Sequence, residues 1–149
     1  MIHLIYKTFD ELTSVELHDM YALRSEVFVV EQDCVYQDID GNDPKSIHVL
    51  GSIEGSLVAY ARILDQGLSY ADYSSIGRIV VSPAYRAQKL GHELVDFAVK
   101  VTQKEYANTR IKISAQAHLE KFYETHQFKA TGEAYLEDGI PHIGMILKD

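Results

Sequence analysis

Residues 80–95 read VVSPAYRAQKLGHELV, and this stretch decides the fold prediction. An apolar run ends at Pro83, whose missing N–H cannot join a strand ladder. A short segment with Arg86 and Lys89 follows, and Gly91 then stands at the beginning of an amphipathic helical pattern. The first N–H groups of a helix lack internal partners and lie at the positive end of its dipole. The stretch therefore predicts a strand–loop–helix unit whose loop binds a phosphate or pyrophosphate.

This interpretation has a plain alternative, in which the two cations are ordinary surface residues at a solvated helix start. Neither G-x-G-x-x-G nor G-x-x-x-x-G-K-[ST] occurs in the chain, so the common nucleotide-binding patterns are excluded. The pair His92-Glu93 does not extend to the zinc motif H-E-x-x-H, because the next histidine position is Asp96. The seven histidines show no metal-ligand spacing, and the sequence predicts no metal.

Composition restricts the class of protein. The length of 149 residues predicts a single domain, residues 1–149. The formal net charge is −8. The acidic balance argues against nucleic acid as a partner, because phosphate binding needs clustered Lys and Arg. No apolar run approaches the ~18 residues of a membrane span, and the N-terminal residues lack a secretory-signal pattern. Cys34 is the one cysteine, so no internal disulfide is expected and a cytoplasmic location is predicted.

Hydrophobic periodicity predicts elements in the order β-α-β-β-β-α-β-α-β-β. Glu54-Gly55 and Asp138-Gly139 are hairpin signals. Residues 31–45 show no period and predict a long loop, a kind of segment that often carries function. The order implies an α/β (α+β) fold, with a mixed sheet and helices on its faces. The predicted strands are 2–7, 48–53, 56–64, 75–81, 110–115 and two strands around Asp138-Gly139, and the predicted helices are 13–30, 89–106 and 116–126.

Two stretches resemble motifs of the GNAT N-acetyltransferase superfamily. RIVVSPAYRAQKLGHEL, residues 78–94, is similar to motif A, V-x-P-x-x-[RQ]-x-x-G-x-[GA], at Val81, Pro83, Arg86 and Gly91. Lys89 replaces the first usual glycine, from which we expect a backbone without a positive φ at that position. SAQAHLEKFYETHQF, residues 114–128, resembles motif B.

Three further stretches resemble the ElaA-like branch of that superfamily: VFVVEQDCVYQDIDGND (27–43), AYARIL (59–64) and YLEDGIPHIGM (135–145). The resemblance covers nearly the whole chain. It implies the GNAT fold, a mixed and mostly antiparallel central sheet of about six to seven strands with helices on both faces. It also implies an N-acetyltransferase that moves an acetyl group from acetyl-CoA directly to a primary amine, without a covalent enzyme intermediate.

The resemblance implies where acetyl-CoA binds. The backbone of Ile79, Val80 and Val81 would line the pantetheine arm, with the Val81 N–H facing the thioester oxygen. Tyr123 occupies the position of the family's general acid, which protonates the departing sulfur. Its plain alternative is a core residue, since the chain has ten tyrosines. The residues implied around the pyrophosphate are Arg86, Ala87, Gln88, Lys89, Gly91 and His92.

The acceptor side rests on weaker signals. An alkylammonium group has a pKa near ~10.4, so supplying the neutral amine at pH 7 costs about 4–5 kcal/mol. Glu31 is the first candidate for the general base, because it ends the predicted first helix beside the long loop. A solvated carboxylate or a strand-packing histidine is the alternative for each residue on this side. The other candidate bases are Asp40, Asp43 and Glu133, and the residues predicted to face the acceptor are Asp40, Asp43, His48 and His142.

The loop from Glu31 to Asp43 carries five acidic side chains and no cation. Because like charges repel, a folded loop there benefits from a counter-charge, and we expect its carboxylates to rim the acceptor cleft and attract a cationic amine. Solvation of the loop is the alternative. The predicted partner is a small-molecule amine or a basic peptide, and a homodimer is compatible with the sequence. A second functional hypothesis is a non-enzymatic acyl-CoA-binding or interaction module that keeps the fold.

Overall fold

The computed structural model describes residues 1–149, which form eight strands and three α-helices. A π-helical segment, Ser25–Glu31, continues the first helix. The strands are β1 (His3–Thr8), β2 (Ile47–Ile53), β3 (Ser56–Leu64), β4 (Tyr73–Val81), β5 (Arg110–Gln116), β6 (Phe128–Ala130), β7 (Tyr135–Glu137) and β8 (Ile140–Leu147). The helices are α1 (Ser14–Arg24), α2 (Leu90–Glu105) and α3 (Glu120–Glu124).

All strands belong to one sheet in the order β1-β2-β3-β4-β5-β8-β6, and β7 also pairs with β8. Every strand pair is antiparallel except β4 and β5. That parallel pair is in register only at Tyr73–Arg110 and Ser74–Ile111. Beyond these residues the strands continue to Val81 and Gln116 without pairing, so the sheet opens into a gap between their C-terminal halves.

The two faces of the sheet bury separate apolar clusters, which is why helices are needed on both sides. On one face, α2 and α3 pack against the inward side chains of β3, β4, β5 and β8 in a cluster of 20 buried residues. On the other face, α1 and its π-helical extension place Met20, Leu23 and Val27 against Leu50, Tyr60 and Val80. The predicted arrangement of helices on both faces is confirmed.

Local sequence signals set the ends of several elements. The Thr13 hydroxyl accepts a hydrogen bond from the Glu16 N–H at 3.1 Å, and the Glu16 carboxylate accepts one from the Thr13 N–H at 2.8 Å. This reciprocal pair is a capping box that begins α1. Both predicted hairpin turns have positive φ at their central residues, 49° and 82° at Glu54-Gly55 and 50° and 78° at Asp138-Gly139. Two positive φ values define the type I′ turn that suits a twisted hairpin.

The structure departs from the predicted elements at the first helix and in the number of strands. The helix predicted over 13–30 is α-helical only to Arg24 and then widens, with the Gln32 N–H bonded to the Val27 carbonyl at 3.1 Å. Such π-helical turns occur often at functional sites. Strand β6 was not predicted, because three residues are too few to show a period. The sheet therefore has eight strands instead of six to seven. No helix is both long and apolar enough to cross a bilayer.

Candidate functional site

The gap between β4 and β5 leads into a cavity of about 1110 Å³. Its walls include β4 from Ser75 to Val81 and β5 from Ile113 to Gln116. The π-helical segment, the long loop after it, α3 and the β7–β8 hairpin complete the lining. A parallel pair that stops pairing leaves two rows of backbone N–H and C=O groups without sheet partners. The gap is therefore a polar slot with apolar side chains around it, suited to an extended ligand that carries amide groups.

A β-bulge shapes the β4 side of this slot. Tyr60 pairs with Val80, whereas Arg62 pairs with Gly77, so two β4 residues, Arg78 and Ile79, lie opposite one β3 residue, Ala61. Arg78 has a φ of 50°, in the left-handed region. A bulge of this kind bends a strand and redirects its backbone groups. Sequence reasoning missed this bulge, although Gly77, directly before Arg78, is an isolated strand glycine of the kind that often marks one.

The register places the Val81 amide in the gap. The Ser82 N–H donates to the Val58 carbonyl at 2.7 Å, which makes Ser82–Val58 a hydrogen-bonded pair. The adjacent pair, Val81–Ala59, is then non-hydrogen-bonded, and its N–H groups point away from the β3–β4 ladder. Because β5 is not paired there, the Val81 N–H faces the cavity. This geometry supports the predicted role of Val81.

The segment after β4 differs from the prediction at one residue. Pro83–Gln88 form a 3-10 turn, and Lys89 then has a φ of 59° and a ψ of 31°, the left-handed conformation. The expectation that this backbone needs no positive φ is wrong. A left-handed residue reverses the chain between the turn and α2, and glycine adopts it without steric cost. Ala87, Gln88 and Lys89 are all exposed at this corner, which leaves room for a ligand at the start of α2.

Arg86 and Glu31, predicted for two different roles, contact each other. The guanidinium donates to the two carboxylate oxygens at 2.6 and 2.7 Å. These hydrogen bonds hold the pKa of Glu31 below its usual value, and Glu31 raises the pKa of Arg86. A carboxylate with a lowered pKa is a weaker proton acceptor, so the pairing argues against Glu31 as the general base. Both residues line the cavity, on the side where acetyl-CoA is predicted to bind.

His92 belongs to a chain of three polar side chains at the start of α2. Its Nδ1 lies 2.9 Å from His126 Nε2, and His126 Nδ1 lies 3.1 Å from Asp96 Oδ1. The His92 ring also packs on Phe122, with ring centroids 4.7 Å apart. A Cβ on Gly91 would stand 3.4 Å from the Phe122 ring. The start of α2 is therefore packed closely against α3, and His92 stands beside Gly91 at the predicted pyrophosphate position.

Tyr123 reaches the cavity from α3. The residue is buried, its ring packs edge-on to Phe122 and Phe128, and it lines the cavity. Burial raises the pKa of the Tyr123 hydroxyl above its ordinary value. The hydroxyl therefore stays protonated at neutral pH and can donate. Tyr123 lies both in the core and at the cavity wall. Its position is therefore compatible with the predicted general acid and with the alternative, a core residue.

The acidic loop has its counter-charges inside the protein. Three of its aspartates pair with three arginines from α1, β3 and β4, elements that lie far from the loop in sequence. The pairs are Arg24–Asp38 (2.9 Å), Arg24–Asp43 (2.8 Å), Arg62–Asp40 (2.8 Å), Arg62–Asp43 (3.2 Å), Arg78–Asp38 (2.7 Å) and Arg78–Asp40 (3.4 Å). The counter-charge that the sequence predicts for a folded loop is therefore present, but arginines of the protein supply it, so these three aspartates do not form a free negative rim.

Asp43 and Asp40 have different positions in this network. Asp43 is 1% exposed and does not line the cavity, so its predicted contact with the acceptor is wrong. Asp40 does line the cavity, but Arg62 donates to both of its oxygens at 2.8 Å. Burial alone would raise the pKa of Asp40, and the bonds from Arg62 outweigh burial, so the pKa lies below its usual value. Neither carboxylate is a good proton acceptor.

His48, also predicted to face the acceptor, lies in the protein interior. It is fully buried, and its ring nitrogens lie 2.6 Å from the Tyr60 hydroxyl and 2.9 Å from the Asp43 carbonyl. Burial lowers the pKa of His48. The ring braces the loop that holds Asp43, and the prediction of substrate contact is corrected to this structural role.

The last predicted histidine, His142, lines the cavity at the β7–β8 hairpin, the end that is predicted to face the acceptor. It belongs to a polar cluster with Ser114, Tyr135 and Glu137. His142 pairs with Gln116 of β5 on one side and with Tyr135 of β7 on the other. Its Nε2 lies 3.5 Å from a Glu137 oxygen, and the Ser114 hydroxyl donates to Glu137 at 3.2 Å. Burial raises the pKa of the neighbouring Tyr70 to about 12, and Glu137 adds to the shift.

Glu133 and Glu137 show what sequence reasoning missed at this end. Glu133, the predicted alternative base, lines a separate cavity of about 630 Å³ and does not line the first. Glu137 lines both cavities. The Asp138-Gly139 turn could have predicted the position of Glu137, because a two-residue hairpin pairs Glu137 with Ile140 and Tyr135 with His142. Alternation then puts Tyr135, Glu137 and His142 on one face of the sheet.

Comparison with known proteins defines the class. A family model described as an acetyltransferase (GNAT) domain matches residues 11–148. ElaA of Escherichia coli strain K12 is 44% identical over 139 residues, which cover 91% of this chain and 89% of ElaA. A UPF0039 protein of Synechocystis is 40% identical over 144 residues, covering 96% and 93% of the two chains.

Solved structures give the same assignment. An acyl-CoA N-acyltransferase from Pseudomonas aeruginosa matches with a TM-score of 0.93 and 41% identity, covering 99% of this chain and 100% of that one. The structure of Escherichia coli ElaA matches with a TM-score of 0.92 and 40% identity, at the same coverage. A sheet that opens between two parallel strands, with these relatives, defines an acyltransferase of the GNAT class. The chain belongs to the GNAT acetyltransferase family, and within it to the ElaA-like branch.

Proposed function

We propose that the protein transfers an acetyl group from acetyl-CoA directly to a primary amine. The observation that carries the proposal is one cavity lined by the unpaired β4 backbone and by Tyr123. Acyl transfer from a thioester needs a hydrogen-bond donor for the carbonyl oxygen and a proton for the departing sulfur. The Val81 N–H and the Tyr123 hydroxyl are the groups suited to these two tasks. The names of the related ElaA and UPF0039 proteins state no acceptor.

The donor end fits CoA in three respects. The Val81 N–H and C=O, which do not take part in the β3–β4 ladder, can bond an amide group of an extended pantetheine arm, and Ile79 and Val80 line the cavity beside them. The exposed corner at 87–89 leads to the first N–H groups of α2, where a pyrophosphate is stabilised by the helix dipole. Gly91 presents no side chain there. Arg86 contributes its backbone while its side chain remains paired with Glu31.

The Val81 N–H and the Tyr123 hydroxyl differ in their expected contributions to the reaction rate. A fixed N–H aimed at a developing oxyanion is worth roughly 10²-fold or more in rate, because it needs no reorganisation. Bound in the slot, acetyl-CoA would supply the activated acyl group. An acid at sulfur contributes less, at the low end of the usual ~10²–10⁴, since a thiol of pKa about 8.5 leaves fairly easily. Burial raises the pKa of Tyr123, so its hydroxyl is protonated over the whole neutral range and is a weaker acid than an exposed tyrosine, which also keeps its expected contribution small.

The experiment that tests the proposal is a screen of primary amines with acetyl-CoA, in which released thiol and acetylated product are both measured. Amine-dependent thiol release, with one acetylated amine per thiol, is the expected result. Tight CoA binding with no amine-dependent release for any alkylamine, diamine or lysine peptide would favour the non-enzymatic acyl-CoA-binding module instead. We propose a small-molecule amine as the acceptor. The cytoplasmic location and the absence of nucleic-acid or membrane partners stay predictions, as does a homodimer.

A further inference from the structure

The polar cluster at the acceptor end is built from three strands that meet on one face of the sheet. Ser114 comes from β5, Tyr135 and Glu137 come from β7, and His142 comes from β8. Their hydroxyl, carboxylate and imidazole groups are linked, because Ser114 contacts both Tyr135 and Glu137. The Glu137 side chain is 49% exposed, whereas the His142 side chain is only 9% exposed. The cluster therefore has a wet side at Glu137 and a protected side at His142.

The contacts of His142 define which nitrogen carries its proton. Nδ1 lies 2.7 Å from the Ile140 carbonyl oxygen, which can only accept a hydrogen bond. Nδ1 is therefore the protonated nitrogen, and Nε2 of the neutral ring has a free lone pair. That Nε2 lies 3.5 Å from a carboxylate oxygen of Glu137. The lone pair and the carboxylate repel each other until a proton arrives at Nε2, and a contact of opposite charges then replaces the repulsion.

We propose that His142 Nε2 accepts the proton of the acceptor alkylammonium group, with Glu137 as the residue that positions and stabilises the ring. This inference rests on the proposed acetyl transfer and names the base for it. Histidine is the side chain that most often serves as a general base in enzymes. Its ring is fixed at Nδ1 by a backbone carbonyl, and such an outer contact is what orients a catalytic imidazole.

The protons of the reaction balance with the groups that the cavity provides. The ammonium group loses one proton to His142 Nε2, and the neutral nitrogen then forms its bond to the acyl carbon while the carbon–sulfur bond breaks. Tyr123 gives its hydroxyl proton to the departing sulfur. The nitrogen loses its second proton as the amide forms, and that proton returns to Tyr123 through water. His142 releases the first proton to solvent past the exposed Glu137, so one proton is released for each amide made.

Two other candidate bases that line the cavity are less suited to this task. Glu31 is engaged by Arg86 on both oxygens, and Asp40 is engaged by Arg62 on both oxygens. His142 lines the cavity, and the free lone pair on its Nε2 faces the Glu137 carboxylate. Glu137 has a second use, since its carboxylate lines the cavity and can attract an alkylammonium group before the proton moves.

The test measures kcat/KM for the best amine of the screen, with calorimetric CoA affinity measured in parallel. His142→Gln should lower kcat/KM by about 100-fold near neutral pH while CoA affinity stays unchanged. The loss should shrink at high pH, where the amine is already neutral in solution. Added imidazole should restore part of the activity of His142→Ala. His18→Gln is the matched control, because His18 is an exposed histidine beside a carboxylate, 3.1 Å from Asp19, and should keep full activity.

Glu137→Gln tests the positioning role and removes only an exposed charge. It should lower kcat several-fold and displace the acid limb of the pH–rate profile, an effect that loss of folding would not produce. Unchanged kcat/KM in both His142→Gln and Glu137→Gln would overturn the assignment while leaving acetyl transfer standing. A wild-type protein that binds acetyl-CoA but acetylates no amine would overturn the proposed function and the base together. If His142→Gln does not fold, Glu137→Gln alone decides.

Discussion

The donor end and the acceptor end of the cavity are built in different ways. At the proposed donor end the candidate groups are main-chain groups, namely the Val81 N–H, the bulge at Arg78 and the corner before α2. At the acceptor end they are side chains such as Glu137 and His142, which distant strands bring together. A main-chain site follows from a local sequence pattern, whereas a side-chain site depends on tertiary contacts that no single stretch encodes.

The same contrast holds inside the acidic loop. Its aspartates, considered alone, predict a negative rim that attracts cations. In the structure, arginines 14 to 40 residues away pair with them, and the loop becomes part of the framework. Variants can show whether the proposed donor end depends on main-chain geometry and whether the acidic loop depends on buried charge pairs.

The largest effect is expected at Asp43. Asp43→Asn removes one charge from a buried network with Arg24 and Arg62, and breaking such a pair costs about 3 kcal/mol or more. The melting temperature should fall by roughly 6–12 °C. Asp19→Asn, at an exposed carboxylate, is the matched control and should change it little. An unchanged melting temperature for Asp43→Asn would mean that the network does not hold the loop.

The pH dependence of stability gives an independent test of the same network. Burial opposes ionisation of Asp43, but the bonds from Arg24 prevail and hold its pKa below the unfolded value. Its stabilisation is therefore present above about pH 4 and lost as the pH falls toward the depressed pKa. Urea unfolding between about pH 2 and pH 7 should show a steeper acid loss for the wild type than for Asp43→Asn. Parallel curves would contradict the assignment.

The next effect is expected at the donor end. Gly91→Asp adds a side chain 3.4 Å from the Phe122 ring and a negative charge beside the proposed pyrophosphate. CoA affinity should fall by about 100-fold, which is ~2.7 kcal/mol. Asn108→Asp adds the same charge at an exposed position after α2 and is the control for net charge. Calorimetry that shows equal CoA affinity for wild type and Gly91→Asp would place the pyrophosphate elsewhere.

A smaller, kinetic effect is expected at Tyr123. Tyr123→Phe should lower kcat by about 10- to 100-fold and leave CoA affinity nearly intact, because only the proton donor is removed. Tyr106→Phe is the matched control, since Tyr106 is a partly buried tyrosine outside the cavity. Full kcat in a folded Tyr123→Phe protein would leave Tyr123 with a packing role alone.

The smallest effect is expected at Lys89, where two variants separate charge from main-chain conformation. Lys89→Gly suits the observed φ of 59° and should keep or slightly raise stability, by up to about 1 kcal/mol. Lys89→Ala keeps a side chain in that conformation. Both variants should weaken CoA binding several-fold and flatten its salt dependence if the ammonium contacts a phosphate. Salt slopes equal to that of the wild type would assign Lys89 to the chain reversal only.

Most of the fold could be predicted from the sequence. The hairpins at Glu54-Gly55 and Asp138-Gly139 follow from turn chemistry, and the helices follow from periodicity and the capping box at Thr13. The π-helical widening after Arg24 and the three-residue β6 could not be predicted, because neither leaves a periodic signal. Lys89 shows a further limit, since a residue other than glycine can hold a left-handed conformation when the surrounding structure compensates for the strain.

The candidate site divides in the same way. The placement of Val81 and Tyr123 at one cavity agrees with what their sequence context implied. Glu31, Asp43 and His48 could not be placed correctly from sequence, because their partners Arg86, Arg24 and Tyr60 lie on other elements. The partners in a buried ion pair depend on which charged side chains the fold brings together, and the number of charges along a loop does not reveal those partners.

The central claim is that the β4 main chain holds the donor in the gap between β4 and β5. Backbone amide NMR with acetyl-CoA tests it most directly, through the Val81 N–H. We predict that the Val81 resonance shifts strongly downfield on binding acetyl-CoA, together with those of Ile79 and Gly91. Its matched reference is Ala59, the non-hydrogen-bonded partner of Val81 on β3, which should shift little. Saturable binding that leaves Val81 and Gly91 unshifted would contradict the account.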